Sequence, residues 1–181
     1  PESLPDTEIV AGLADNLFYI HGEPGRPVKN IVISGLRLEM NAFGENLAAH
    51  ARPQNVTSEF DTNLGALVYL SNAEKVTVRD CRMSNAGYVG VVMQGYAQNN
   101  TVYGNDITQT GYAGIFMIGE DPGSPNYCSR CNTISNNKIH EVGNFVGHGA
   151  GIYLMNSGEN TVTHNEICNV PRYGISMKGI R

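Results

Sequence analysis

Few side chains in this chain are placed to do chemistry. His148 stands between Gly147 and Gly149, so its ring is poorly shielded and open to a ligand. Arg172, Lys178 and Arg181 follow close together near the carboxyl end. Such groups bind anions, and a Lys or Arg of lowered pKa can serve as a base. Glu120 and Asp121 are neighbouring acids, suited to acid–base work or to holding Ca²⁺ with loop carbonyls. Pro122 and Gly123 directly after them favour a plain turn. Phe116, Tyr153, Tyr112 and Tyr173 offer rings that can stack on a flat ligand or pack on a sheet. His140 and His164 read as surface residues. Cys128-x-x-Cys131 has the spacing of a metal or redox pair, but no second pair follows, so a local disulfide or free thiols are expected and no metal site.

Composition narrows the classes. The chain has 181 residues, enough for one domain with a sizeable core. With 21 Gly, 8 Pro and 16% charged residues it suits a turn-rich β protein. Net charge is -5, and no Lys/Arg cluster could neutralise a phosphate backbone, so nucleic acid is not an expected partner. No apolar run reaches the length of a membrane span. The first ten residues lack the pattern of a signal peptide, and there is no initiating Met, so a piece of a longer protein is expected.

The elements that must position these groups are legible in a repeat. "NTVYGNDI" (100–107), "NTISNNKI" (132–139) and "NTVTHNEI" (160–167) are versions of one motif. Short Gly-led apolar runs recur with it: "GVVMQ", "GIFMI", "GIYLM" and "GISMK", preceded by "ALVYL". Each unit holds three short strands with Gly- and Asn-rich corners and no helical period. This pattern predicts an all-β solenoid, a single-stranded right-handed parallel β-helix of about five to six coils. Asn105, Asn137 and Asn165 would stack as a hydrogen-bonded ladder inside one corner, with Leu36 and Cys81 in the same slot of earlier coils. Residues 1–181 form one segment of it, with loop insertions at 41–65, where 45–52 suits a short helix, and at 120–130. The chain ends in mid-coil, so further coils are expected.

The runs "PVKNIVISGLRL", "AEKVTVRDCRMSNAGYVGVVM" and "GAGIYLMNSGENTVTHNEICNVPRYGIS" resemble the pectate-lyase-like superfamily of right-handed β-helices. The chain is most similar in character to bacterial glycoside hydrolase family 141-like proteins. The resemblance implies a secreted or periplasmic bacterial protein acting on a polysaccharide along the first sheet. Hydrolysis there takes two carboxyl groups flanking the bond. Elimination from a uronate takes a basic group and a cation such as Ca²⁺; otherwise no cofactor is expected. His148, Lys178 and Glu120 are the catalytic candidates, and Phe116, Tyr153, Arg172 and Tyr173 the substrate-binding ones. "GHG" followed by "GISMK" resembles motifs of polygalacturonase-type hydrolases, but "YAGIFMI" stands where their catalytic Asp residues belong, so that activity does not carry over. A polysaccharide lyase and a noncatalytic carbohydrate-binding surface protein remain alternatives.

Overall fold

The computed structural model describes residues 10–43, 65–120 and 129–179. The expected helix at 45–52, most of the two expected insertions, Asp121, Cys128 and Arg181 lie outside these residues. The first coil holds β1 (Asn16–His21), β2 (Val28–Lys29), β3 (Val32–Ser34) and β4 (Arg37–Glu39). The second holds β5 (Ala66–Glu74), β6 (Thr77–Arg79) and β7 (Arg82–Ser84), and the third β8 (Val89–Gln98), β9 (Thr101–Tyr103) and β10 (Asp106–Thr108). The fourth holds β11 (Ala113–Ile118), β12 (Ser129–Arg130), β13 (Thr133–Ser135) and β14 (Lys138–His140). The fifth holds β15 (Ala150–Met155), β16 (Ser157–Gly158), β17 (Thr161–Thr163) and β18 (Glu166–Cys168), and β19 (Tyr173–Lys178) opens a sixth.

Successive coils stack strand on strand. The first sheet runs β1-β5-β8-β11-β15-β19, with β2, β12 and β16 pairing along its far end. The second sheet is β3-β6-β9-β13-β17 and the third β4-β7-β10-β14-β18. Their pairings are parallel and in register: Val68, Val91, Ile115, Ile152 and Ile175 form one column, and Leu70, Met93, Met117, Leu154 and Met177 another. Strand alternation turns both columns inward, where all but the last member of each are sealed from solvent. Ile175 and Met177 are 44% and 65% exposed, because no described strand lies on β19. Burying such a side chain stabilises the coil by about 1.5–3 kcal/mol.

The corners follow one rule. At each, a residue in the left-handed region is followed by one whose side chain turns inward, except that Leu36 in the first coil is 41% exposed. The left-handed residues are Asn30, Lys75, Asn99, Cys131 and Glu159 at the first corner, and Gly35, Asp80, Gly104, Asn136 and His164 at the second. Met40, Asn85, Gln109, Glu141 and Asn169 hold the third. The ladder asparagines are therefore not the left-handed residues; they come one position later. The expected ladder is present. Asn105 Nδ2 donates to Asn137 Oδ1 (2.9 Å) and Asn137 Nδ2 to Asn165 Oδ1 (2.9 Å), while the backbone N–H of Cys81 donates to Asn105 Oδ1 (3.0 Å). A second ladder, not anticipated from the sequence, occupies the first corner: Asn100 Nδ2 donates to Asn132 Oδ1 and Asn132 Nδ2 to Asn160 Oδ1, both at 3.1 Å. In each ladder the amide also bonds the backbone of adjacent coils, so a buried bend leaves few polar groups unpaired.

Candidate functional site

The outer face of the first sheet presents two columns. One is Tyr19, Tyr69, Val92, Phe116, Tyr153 and Ser176; the other is His21, Ser71, Gln94, Ile118, Met155 and Lys178. Facing outward does not make these residues accessible. Phe116 and Tyr153, expected as stacking rings for a substrate, are 0% and 1% exposed. They belong to a second apolar cluster with Tyr88, Tyr112 and Val146, which approach from the third corner. Phe116 and Tyr153 meet edge to face at 5.0 Å, and Tyr112 stacks on Tyr88 at 4.9 Å. Both rings thus pack as a second hydrophobic layer and neither offers a face to a ligand; their expected substrate contact is corrected on that ground. Burial pushes the phenols of Tyr88 and Tyr112 far above their ordinary range.

The first sheet is accessible at its two ends. At the last coil, Arg172 donates from its guanidinium to Nδ1 of His148 and lies over the Tyr173 ring at 4.8 Å. Tyr173 is 38% exposed. Lys178 is at the other end of the same strand, its ammonium 5.6 Å from the Tyr153 ring. Five residues separate Tyr173 from Lys178, about 16 Å at the usual rise per residue. Of the expected basic cluster of Arg172, Lys178 and Arg181, the first two therefore stand in separate places, with His148 beside Arg172. Glu120 is exposed just past β11, at the Lys178 end of the strands and away from His148, with a carboxylate oxygen 3.8 Å from where a Cβ on Gly95 would stand. His148, Lys178 and Glu120 do not converge on one reacting bond.

At the first coil the sequence reading missed a feature. Tyr19 stacks on Tyr69 at 5.1 Å and on His21 at 5.5 Å, with interplanar angles of 17° and 14°. Tyr19 keeps 55% of its surface open. The Tyr69 hydroxyl donates to Gln94 Oε1 (3.1 Å). Burial raises the Tyr69 phenol to about 12, with Tyr19 beside it adding to the rise and a Ser71 hydrogen bond opposing it. The signal was the alternation of "LFYIH", which sends Phe18 and Ile20 inward and Tyr19 and His21 outward. It lacks the Gly lead and Asn columns of the later coils.

Charge on the first sheet is sparse. Among the described residues its strands contain one carboxylate, Glu74. A Lys29 hydrogen bond (2.7 Å) and one from the Tyr96 hydroxyl hold Glu74 below the usual carboxylate range. Elsewhere, His140 bonds Asp106 (3.0 Å) and Thr108 (3.3 Å) on the outer face of the third sheet, and His164 bonds Thr163 (2.7 Å) at the second corner. Both are local surface pairs. Among the described residues no group of three or more His, Cys, Asp or Glu side chains could hold a metal ion.

No curated protein matches the chain in sequence. Among solved structures, a glycoside hydrolase superposes with a TM-score of 0.76 at 19% identity, over 93% of this chain and 34% of that one. The chain thus spans about a third of that structure, and at this identity the likeness shows the fold alone. A family model described as the right-handed beta helix region matches residues 27–179, all of the coils built above except β1. The chain belongs to the right-handed β-helix family.

Proposed function

We propose that this is a carbohydrate-active β-helix that takes a polysaccharide along the outer face of its first sheet and acts as a glycoside hydrolase. The observation that carries the reading is the Tyr19 platform. Tyr19, 55% exposed and stacked with Tyr69 and His21, gives this edge of the first sheet an ordered aromatic patch, and aromatic surface packs well on the C–H groups of a pyranose. His21 and Gln94 flank it with hydrogen-bonding groups suited to sugar hydroxyls. The fold shared with a glycoside hydrolase supports the same class. Glu120, exposed two residues past β11, is proposed as one carboxyl group of a hydrolytic site. Arg172, Tyr173 and His148, grouped at the last coil, are proposed as a further place for sugar hydroxyls. On this reading the protein is expected to be extracellular or periplasmic.

A second reading, a noncatalytic carbohydrate binder, is favoured by one observation: the sole carboxylate within the described first-sheet strands, Glu74, is already tied to Lys29 and Tyr96. A polysaccharide panel separates the cases. New reducing ends without an unsaturated product mean hydrolysis; an unsaturated uronate product means elimination. Binding without product, weakened by Tyr19→Ala, means a binder. Neither binding nor product on any substrate would remove the carbohydrate reading altogether.

A further inference from the structure

The third corner changes length between coils. Between β7 and β8, and again between β10 and β11, four residues make the turn, 85–88 and 109–112; between β14 and β15 there are nine, 141–149. The longer corner reaches back along the axis. Gly143 and Asn144 donate their backbone N–H groups to the Thr110 carbonyl, and Phe145 and Val146 donate theirs to that of Gly111. Val142 and Val146 are buried as anchors. Phe145, from the fourth coil, thereby meets Phe43, from the first, edge to face at 5.2 Å.

Beneath this arch is a cavity of about 520 Å³, within the usual ~300–1,000 Å³ range of small-molecule sites. Its floor is backbone. A Cβ on Gly87 would stand 2.4 Å from the Ala42 carbonyl oxygen, and one on Gly12 would stand 2.4 Å from that of Met40. Asn41 ties the floor together, accepting from the Gly87 N–H (3.0 Å) and donating to the Asp15 carbonyl (2.8 Å). The walls carry aliphatic side chains, Val10 and Met40, beside rings and amides. Phe43 and Phe145 are 40% and 64% exposed. Asn85, Gln109 and Asn144 present exposed amides. Among the described residues lining the cavity, none has an ionisable side chain.

From this lining we infer a subsite for an uncharged pyranose unit, set at the third corner and distinct from the outer face of the first sheet. The inference rests on the carbohydrate reading above and narrows it. Phenyl rings match the C–H face of a sugar, and amides, each both donor and acceptor, match its hydroxyls. Among the described residues the lining offers a uronate carboxylate amide donors and no cation, so neutral units, acetylated ones included, are favoured over acidic ones.

The test uses the full chain, titrated calorimetrically with neutral trisaccharides of gluco, manno, galacto and xylo configuration and with trigalacturonate. The expected result is that at least one neutral trisaccharide binds at least about tenfold more tightly than trigalacturonate, and that Phe145→Ala weakens it by about tenfold or more. Asn144→Asp, an exposed change that keeps the arch, weakens it likewise. Circular dichroism confirms folding of each variant. If Tyr19→Ala abolishes binding while Phe145→Ala and Asn144→Asp leave affinity within about twofold, the corner subsite is wrong and the carbohydrate reading stands. If trigalacturonate binds as tightly and loses affinity in the same variants, the neutral class is wrong. If no saccharide binds, both fall together.

Discussion

Replacing Asn137 by Ala tests what holds the coils together. Asn137 is 1% exposed, and its amide makes four hydrogen bonds. Nδ2 donates to the Val102 carbonyl (3.0 Å) and to Asn165 Oδ1 (2.9 Å), and Oδ1 accepts from the backbone N–H (3.0 Å) and Nδ2 (2.9 Å) of Asn105. Ala removes all four and leaves the Asn105 N–H buried without a partner. At about 1 kcal/mol net for each bond, the loss is about 4 kcal/mol, a large share of the ~5–15 kcal/mol typical of a folded domain. Asn165→Ala removes a similar set of contacts from a half-buried position that water can reach. Its cost is expected to be only about 1–2 kcal/mol. Urea unfolding followed by far-ultraviolet circular dichroism reads both. Equal losses in the two variants, or a loss under about 1 kcal/mol for Asn137→Ala, would refute the claim that burial gives the ladder its strength.

Other outcomes follow from the same packing. Ser129 and Ser157 are buried with hydroxyls lacking a partner among the described residues, and the same column holds Ala73 and Ala97 in earlier coils. Ser129→Ala and Ser157→Ala are expected to be neutral or to stabilise by up to about 1 kcal/mol, read as melting temperature. Gly111→Ala, whose new methyl would meet backbone oxygen, is expected to destabilise by at least about 2 kcal/mol in urea unfolding. Tyr69 has a raised folded-state pKa. Its contribution is complete below the ordinary value of 10.0 and is lost as pH climbs through about 12. Stability is expected to fall across that window with and without Tyr69→Phe, because Tyr88 and Tyr112 are raised as well, but by on the order of 2 kcal/mol less in the variant.

The columns of the first sheet could be read from the sequence because period-two alternation states which side chains turn inward. Asn105, Asn137 and Asn165 were legible because one residue type recurred at one slot. Asn100, Asn132 and Asn160 recur just as regularly, but nothing local says that the Asn of "NT" turns inward; that depends on the left-handed residue before it. Alternation also fixed Phe116 and Tyr153 as outward, yet outward became buried once Tyr88, Tyr112 and Val146 closed over them. Proximity in sequence brought Arg172 and Lys178 together on paper, whereas an extended strand holds them apart. Phe43 and Phe145 are about a hundred residues apart and meet only because a long corner folds back along the axis.

The corner rule has a consequence for altering the molecule's length. From Cys81 to Asn105, one complete turn, is 24 residues. Excising residues 81–104 would join Asp80 directly to Asn105, a left-handed residue to an inward-pointing one, as at the native bends. The shortened chain would keep each of its columns aligned and lose one rung, about 4.8 Å of axial rise. The length of the sheets would become a quantity set in whole steps by inserting or deleting turns, with the side chains of each turn gained or lost together.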